Sequence, residues 1–201
     1  MPTQHQASCL LPTGRGSLDL HVFGRDDGTE EVLAAVYQSG SPAATPPLVR
    51  AHSACLTGDL LGSLRCDCGQ QLGAALDLIA AESHGILLYL LGHEGRGIGL
   101  ANKIRAYALQ EQGLDTVEAN RQLGLPVDGR DYSAAVAALR WLGVDRIRLA
   151  TNNPLKIAAF TRAGIEVTRV PLNGFVTADN AGYLSVKDRM LGHLQSLGRP
   201  S

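Results

Sequence analysis

Gly85-Ile86-Leu87-Leu88-Tyr89-Leu90-Leu91 is a short apolar run near the middle of the chain. Its length and composition are typical of a strand that is buried on both faces of a sheet. A glycine-rich segment follows at residues 94–99, and residues 100–112 then place apolar side chains at helical spacing. A buried strand, a glycine-rich turn and a helix in this order predict an α/β architecture.

Helices and strands alternate on both sides of this run. Residue spacing predicts helices over 69–83, 100–112, 132–142, 154–164 and 183–197, and strands over 146–150 and 166–170. The helix over 154–164 has the clearest ends. Asn153 is a good N-cap, Pro154 suits the first helical position, and Gly164 suits the residue after the last turn.

The first third of the chain is β-rich. Alternating apolar and polar side chains predict a strand at 17–23, residues 31–37 are expected to be the returning strand of a hairpin, and 48–53 are expected to be another strand. Residues 1–16 and 40–47 are expected to be an irregular lead-in and a loop. The whole pattern predicts one α/β (α+β) domain over residues 1–201, with a mixed β-sheet and flanking helices.

The composition limits the classes of function. The 201 residues include 18 Lys and Arg against 19 Asp and Glu, giving a formal net charge of −1, and only three Phe, one Trp and five Tyr. Balanced charge and few aromatic side chains argue against nucleic acid as a partner. No apolar run approaches the roughly 20 residues that span a bilayer, and the polar N-terminus lacks the pattern of a secretory signal. We therefore expect a cytoplasmic protein with no nucleic acid and no membrane partner.

Three of the four cysteines are spaced for metal binding. Cys66 and Cys68 are separated by one residue, and Cys55 precedes them closely enough for a short turn to bring it near. Soft thiolates favour zinc, and three protein ligands with an open fourth position are typical of catalytic zinc. His52 is a candidate for a fourth ligand that would close the site, whereas Cys9 is expected to be a bystander. The alternative is a group of buried apolar cysteines.

Cationic side chains accompany the cysteines. Glu94-Gly95-Arg96-Gly97-Ile98-Gly99 lies between a predicted strand and a predicted helix, where backbone N–H groups bind anions. Residues 151–156 follow the carboxyl end of another strand, which is the usual position of ligands in open α/β sheets. Several cations near a zinc site indicate a phosphorylated substrate. Zinc-activated water attacks an electron-poor carbon, but the spacing does not choose among an amide, an ester and a ring C=N.

Several blocks of sequence together carry a resemblance to a known family. They are Val49-Arg50-Ala51-His52-Ser53, Cys55-Leu56-Thr57-Gly58-Asp59, Ser63-Leu64-Arg65-Cys66-Asp67-Cys68-Gly69, the segments 94–100, 102–110 and 115–120, and Thr151-Asn152-Asn153-Pro154. In this order they closely resemble GTP cyclohydrolase II, from about residue 11 to residue 197. The resemblance implies the first step of riboflavin synthesis, in which the guanine ring of GTP is opened at C8. Formate and pyrophosphate leave, and a diaminopyrimidinone ribosyl phosphate is formed.

The resemblance also implies cofactors and an assembly state. It assigns Cys55, Cys66 and Cys68 as ligands of one Zn²⁺ per chain, adds Mg²⁺ with the triphosphate, and implies a homodimer.

The same resemblance assigns roles at the site. Arg130 matches an arginine thought to attack the α-phosphate, although a guanidinium is a poor nucleophile and physical reasoning favours a phosphate clamp. Asp128 matches the proposed general base, or restrains Arg130, and Tyr107 matches a tyrosine that orients water or the ring. The nucleotide-binding positions that it implies are Arg50, Ala51, His52, Ser53, Ala54, Gln71, Glu94, Gly95, Arg96, Thr116, Thr151 and Lys156.

Two departures from the family pattern border this site. Ala54 stands where the family usually has Glu, and Leu91-Gly92-His93 replaces an Arg-Gln pair with one additional residue. They leave two alternatives open. One is a paralogue that opens the ring of GTP or a related purine nucleotide but retains the formyl group. The other is a non-catalytic zinc nucleotide-binding protein, for which a fourth ligand such as His52 is expected.

Overall fold

The computed structural model describes residues 2–38, 45–82 and 84–172. Its strands are β1 (Gln4–Thr13), β2 (Gly16–Gly24), β3 (Glu30–Gln38), β4 (Leu48–Ser53), β5 (His84–Leu90), β6 (Arg146–Ala150) and β7 (Glu166–Val170). Its helices are α1 (Leu56–Asp59), α2 (Cys68–Ala81), α3 (Leu100–Glu111), α4 (Thr116–Gln122), α5 (Ser133–Trp141) and α6 (Pro154–Arg162). A 3₁₀ segment, Leu91–Arg96, leads out of β5.

The seven strands form one mixed sheet in the order β1-β2-β3-β5-β4-β6-β7. The pairs β1–β2, β2–β3 and β3–β5 are antiparallel. The pairs β5–β4, β4–β6 and β6–β7 are parallel. The predicted fold class, a mixed sheet with flanking helices and a β-rich first third, is therefore confirmed.

Helices cover both faces of the sheet. On one face, Leu139 of α5 and Phe160 of α6 are fully buried in the same cluster as Ile86 and Leu149 of the sheet. On the opposite face, Ile79 of α2 packs with buried residues that include Leu48 and Leu87. This two-sided burial explains why β5 is mainly apolar from Gly85 to Leu90 rather than alternating.

The expectation of an irregular lead-in over 1–16 is wrong. Residues Gln4–Thr13 form β1, which pairs with β2 from Gln4↔Gly24 to Thr13↔Gly16. Almost every side chain of β1 is exposed. This edge strand is therefore stabilised by its backbone ladder rather than by a buried face, and it lacks the alternation that reveals most strands.

The remaining expectations divide into three groups. The predicted strands at 17–23, 31–37, 48–53, 146–150 and 166–170 coincide with observed ones, and α6 begins after Asn153, whose side chain accepts from the Leu155 N–H at 2.9 Å. Two short helices, α1 and α4, were not predicted. Most of the loop predicted over 40–47 and the whole helix predicted over 183–197 lie outside the described residues.

The parallel strands bring the sequence motifs together. Because β4, β5 and β6 run in the same direction, the segments that follow Ser53, Leu90 and Ala150 leave the sheet at one edge. Those segments carry the cysteine group, the glycine-rich turn and the Thr151-Asn152-Asn153 loop. No helix in the ranges listed at the start of this subsection combines the length and apolarity needed to cross a membrane.

Candidate active site and metal centre

The three predicted metal ligands lie together. Cys55 stands between β4 and α1, and Cys66 and Cys68 lie at the turn that begins α2. Their sulfur atoms are all within 4.8 Å of one another, and Cys55 Sγ is 3.7 Å from Cys66 Sγ. Two thiolates in a tetrahedral zinc site, with bonds of about 2.3 Å, have sulfurs about 3.8 Å apart. Within the described residues, this is the one group of three His, Cys, Asp or Glu side chains that fits a single ion.

A glycine makes room for the cysteine group. A Cβ atom at Gly58 would lie 2.8 Å from Cys66 Sγ, 3.0 Å from Cys68 Cβ and 3.2 Å from Cys55 Sγ. Any side chain at this position would therefore enter the space between the sulfurs. The backbone of α1 therefore lies close against the three cysteines, and the donor set of three thiols suits zinc.

A buried ion pair adjoins the sulfurs. Lys103 Nζ lies 3.1 Å from Cys55 Sγ and 2.6 Å from Glu94 Oε1. The second oxygen of Glu94 accepts from the backbone N–H of Leu56 at 2.7 Å. Burial acts in the opposite direction, but the hydrogen bonds to Glu94 and Cys55 raise the pKa of Lys103. A charged ammonium therefore stands against the sulfur of a predicted metal ligand.

His52 does not join the cysteine group. Its Nε2 lies 3.0 Å from Asp59 Oδ1, and its side chain is 2% exposed. Cys9 is exposed on β1 and also lies outside the group. The alternative in which His52 closes the metal site is not supported by the geometry, because among the described residues the group that could share one ion contains the three cysteines and not His52.

A cavity opens beside the sulfurs, and most of the predicted nucleotide-binding residues line it. The predicted residues that line it are Arg50, His52, Ser53, Ala54, Cys55, Cys66, Cys68, Gln71, Gly95, Arg96, Tyr107, Thr116, Arg130, Thr151 and Lys156. Three predicted residues do not line the cavity. Ala51 is buried in the core, Glu94 forms an ion pair with Lys103, and Asp128 forms an ion pair with Arg130.

Two cations of the cavity are deeply buried. Arg50 donates to the Ala150 carbonyl at 2.9 Å and to Gln71 Oε1 at 2.8 Å. Lys156 Nζ donates to the Ala51 carbonyl at 2.6 Å, which gives Ala51 a backbone role rather than a side-chain one. Burial lowers the pKa of Arg50 to about 10, so that its guanidinium stays charged at neutral pH. Buried positive charge of this kind favours an anionic ligand.

Two loops bring further arginines to the cavity. Arg96 adopts a left-handed backbone conformation with φ 65°, and its carbonyl accepts from the Gly129 N–H at 2.9 Å. A Cβ at Gly97 would lie 3.0 Å from the carbonyl carbon of Gly129, so the two loops touch through their backbones. This contact holds the Arg96 turn against the loop that carries Arg130.

Arg130 is held by Asp128 in a two-point ion pair. Its Nε lies 2.8 Å from Asp128 Oδ1, and one terminal nitrogen lies 2.5 Å from Oδ2. Burial opposes the effect, but the hydrogen bonds from Arg130 lower the pKa of Asp128. A fixed, planar guanidinium is suited to phosphate recognition. The lowered pKa makes Asp128 a weaker base and a better anchor.

Tyr107 reaches the cavity from α3. The Arg65 guanidinium lies 4.8 Å from its ring centroid, and burial raises the pKa of its hydroxyl. Thr116 enters from the first turn of α4, which begins with a capping box between Asp115 and Glu118. That box, an Asp followed three residues later by Glu, is the sequence signal that could have predicted α4.

Sequence reasoning assigned no role to three further residues near the site: Lys103, Asp59 and His93. His93 lines the cavity, with Nε2 2.7 Å from the Asp131 carbonyl and Nδ1 3.2 Å from Ser53 Oγ. No sequence pattern identifies such buried polar contacts, because they depend on which segments the sheet brings together.

The fold and the site define a class of protein. It is an α/β protein with three clustered cysteines, suited to one metal ion, in the wall of a cavity that is also lined by Arg and Lys side chains. The family model for GTP cyclohydrolase II matches residues 4–171. The chain belongs to the GTP cyclohydrolase II family, which confirms the resemblance seen in the sequence and the prediction of an enzyme.

Curated relatives agree with the family model. The chain is 53% identical over 195 residues to a GTP cyclohydrolase-2 of Hahella chejuensis, covering 96% of this chain and 93% of the relative. It is 51% identical over 193 residues to a GTP cyclohydrolase-2 of Neisseria gonorrhoeae, covering 96% of both. A riboflavin biosynthesis protein RibBA of Aquifex aeolicus is 51% identical over 94% of this chain and 46% of its own length.

Among solved structures, a two-domain 3,4-dihydroxy-2-butanone 4-phosphate synthase from A. baumannii matches 84% of this chain and 40% of its own. The TM-score is 0.45, and the sequences are 21% identical.

Proposed function

We propose that this protein catalyses the zinc-dependent hydrolysis of GTP, opening the guanine imidazole ring at C8 with release of formate and pyrophosphate. The observation that carries the proposal is the position of Cys55, Cys66 and Cys68 in the wall of the cation-lined cavity. A site for one soft metal ion and a site for a polyanion share a single space. A nucleoside triphosphate with a reactive ring carbon fits both parts.

The three cysteines would hold the zinc ion. The distances between the sulfurs, and the space that Gly58 leaves beside them, fit a zinc ion. Bound zinc supplies a Lewis acid that activates water at neutral pH. Lys103 keeps a positive charge against Cys55 Sγ and so favours the thiolate form of that ligand. Tyr107, whose raised pKa keeps its hydroxyl protonated, would orient water or the ring by a hydrogen bond.

Arg50, Arg96, Arg130 and Lys156 would bind the triphosphate. The two-point contact with Asp128 supports Arg130 as a clamp on a phosphate in the transition state. The alternative, attack of Arg130 on the α-phosphate with Asp128 as base, requires deprotonation of a guanidinium that Asp128 stabilises in its charged form. Mg²⁺ would accompany the triphosphate, as it usually does with substrate phosphates.

The remaining parts of the proposal come from the family. We propose that residues 1–201 form a single catalytic domain and that the protein acts in the cytoplasm as a homodimer. The product would be the diaminopyrimidinone ribosyl phosphate of the first step of riboflavin synthesis.

One observation favours a second candidate reaction. Ala54, where the family usually has Glu, lines the cavity next to Cys55. The carboxylate that Glu would place here is absent, and with it a charged group beside the opened ring. The second candidate is therefore ring opening with retention of the formyl group.

The test is to incubate zinc-loaded protein with GTP and Mg²⁺ and to identify every product by mass spectrometry and enzymatic formate assay. Formate and pyrophosphate in equal amounts support the proposed reaction. A formylated pyrimidine without free formate supports the second candidate. Unchanged GTP contradicts both.

A further inference from the structure

Asp59 connects the cysteine loop to the strand that lines the cavity. Its Oδ2 accepts from the backbone N–H of Cys55 at 3.0 Å and from the hydroxyl of Tyr89 at 2.8 Å. The same carboxylate lies 3.0 and 3.1 Å from Nε2 of His52. The side chains of Asp59 and His52 are 6% and 2% exposed. One buried carboxylate therefore contacts three segments at once.

This contact determines which ring nitrogen of His52 carries a proton. The backbone N–H of Cys55 and the hydroxyl of Tyr89 both donate to the carboxylate, which therefore serves as an acceptor. In a neutral imidazole that donates through Nε2, Nδ1 keeps its lone pair. His52 is thus fixed with an acceptor at Nδ1.

Nδ1 of His52 has no hydrogen-bond partner among the residues that the structure describes, although the atom is buried. Buried polar atoms are rarely unsatisfied without a reason. Nε of Arg50, two residues earlier on β4, is likewise buried with no hydrogen-bond partner among the described residues. Both side chains line the cavity, and residues i and i+2 of a strand share one face. Within the described residues, this face of β4 therefore carries one acceptor and one donor without partners, and a bound molecule can supply both partners.

We propose that Asp59 is a positioning residue that orients His52 so that Nδ1 accepts a hydrogen bond from an N–H or O–H group of the bound nucleotide. The inference rests on the proposed function for the identity of that nucleotide. GTP offers such donors at N1, at the exocyclic amino group and at the two ribose hydroxyls. An ionised triphosphate offers none. The base or the sugar, rather than the phosphates, therefore lies against His52.

The first test reads the tautomer directly. Zinc-loaded, ¹⁵N-labelled protein is studied without nucleotide by long-range ¹H–¹⁵N correlation at neutral pH, and His52→Gln identifies the signals of this ring among the six histidines. The expected result is a protonated Nε2 and an unprotonated Nδ1. A proton on Nδ1, or a doubly protonated ring, would overturn the inference whatever the protein does with GTP.

The second test uses kinetics with matched variants. Asp59→Asn can turn an amide N–H toward Nε2, which favours the opposite tautomer and replaces the acceptor at Nδ1 by a donor. We expect KM for GTP to rise at least about tenfold, which corresponds to one hydrogen bond of about 1.4 kcal/mol. The zinc content should not change. Tyr89→Phe removes another donor to Asp59 but keeps the His52 contact and should change KM less than about twofold.

Substrate analogues identify the donor. GTP analogues that lack the exocyclic amino group, the N1 hydrogen, the 2′-hydroxyl or the 3′-hydroxyl are compared in both proteins. The effect of Asp59→Asn should disappear with the analogue that lacks the group bound by His52. An unchanged KM in Asp59→Asn, or an equal effect with every analogue, contradicts the inference.

These results separate the two proposals. If the unaltered protein leaves GTP unchanged, the proposed function fails, while the tautomer is still decided by NMR. If it converts GTP but Asp59→Asn behaves like the unaltered protein, only the role of Asp59 fails. Should Asp59→Asn lose its zinc, the NMR measurement on the unaltered protein decides.

Discussion

Lys103 Nζ lies 3.1 Å from the sulfur of Cys55 and 2.6 Å from Glu94. A zinc ion held by the three cysteines would form a centre in which three thiolates outweigh the charge of one divalent ion. An adjacent ammonium stabilises that centre. The ion pair between Lys103 and Glu94 also connects α3 and the 3₁₀ segment to the cysteine loop. The charge of Lys103, and not only its packing, is therefore expected to support metal binding.

Replacing Lys103 tests this relationship. Lys103→Met should weaken zinc binding about tenfold or more, in the range typical for residues that contact metal ligands. Competition with a chromophoric chelator measures the affinity. Lys103→Arg keeps the positive charge and should lose less zinc affinity than Lys103→Met. Equal zinc affinity in all three proteins would remove the electrostatic role.

Gly58 offers a steric test of the same site. A methyl group at position 58 would lie 2.8 Å from Cys66 Sγ, so Gly58→Ala should displace a ligand and lower the zinc content. The matched control is Gly73→Ala in α2, where a Cβ meets nothing within 4 Å. The Gly73→Ala variant should keep its zinc, and the alanine should stabilise α2 by about 0.5–1 kcal/mol. Metal analysis and thermal unfolding of both variants measure the difference, and a full zinc complement in Gly58→Ala would contradict it.

Most of the architecture could be predicted because burial leaves a pattern in the sequence. The apolar run of β5 and the capped helix α6 show this clearly. The strand β1 could not be predicted, since its exposed side chains show no alternation and its pairing with β2 leaves no mark in the local sequence. The helix α4 begins with a capping box between Asp115 and Glu118, a pattern that is visible in the sequence.

The grouping of the three cysteines could be predicted from the sequence, whereas the contacts that surround them could not. The spacing of Cys55, Cys66 and Cys68 predicts a shared metal, and the structure brings their sulfurs together. The roles of Asp59 and Lys103 were not predictable. Their contacts join segments distant in sequence, and no periodicity records such pairs. Ala51 is the opposite case. It lies in a motif that matches the family, yet it acts through its backbone carbonyl, which accepts from Lys156.

Arg130 and Asp128 should be separable by kinetics. Arg130→Ala should abolish turnover of GTP and leave zinc bound, because the arginine is anchored by Asp128 on a loop separate from the three cysteines. Asp128→Asn weakens the two-point pair, so that kcat should fall by about 10²-fold or more while some activity survives. Steady-state assays with metal analysis measure both. The control is Arg121→Ala on an exposed position of α4, and a fully active Arg130→Ala would exclude the clamp.

His93 should make the stability of the fold depend on pH. Burial lowers its pKa from 6.5 to about 4. The unfolded chain therefore binds a proton between these values, whereas the folded one does not. The stability present above pH 6.5 should be lost as pH falls toward 4, by up to about 3 kcal/mol.

The comparison for this prediction is His93→Gln, in which that contribution is absent. Urea unfolding of both proteins at several pH values between 7 and 4 gives the free energies. The unaltered protein should lose about 3 kcal/mol more than the variant over this range. Parallel pH profiles would contradict the neutral, buried state of His93.

The central claim is that three sulfur ligands hold one metal ion and leave a position for a light atom. X-ray absorption at the zinc edge of the zinc-loaded protein measures this directly. The prediction is three sulfur neighbours at about 2.3 Å and one oxygen or nitrogen neighbour at about 2.0–2.2 Å. A zinc ion with fewer than three sulfur neighbours, or with four, would contradict the account.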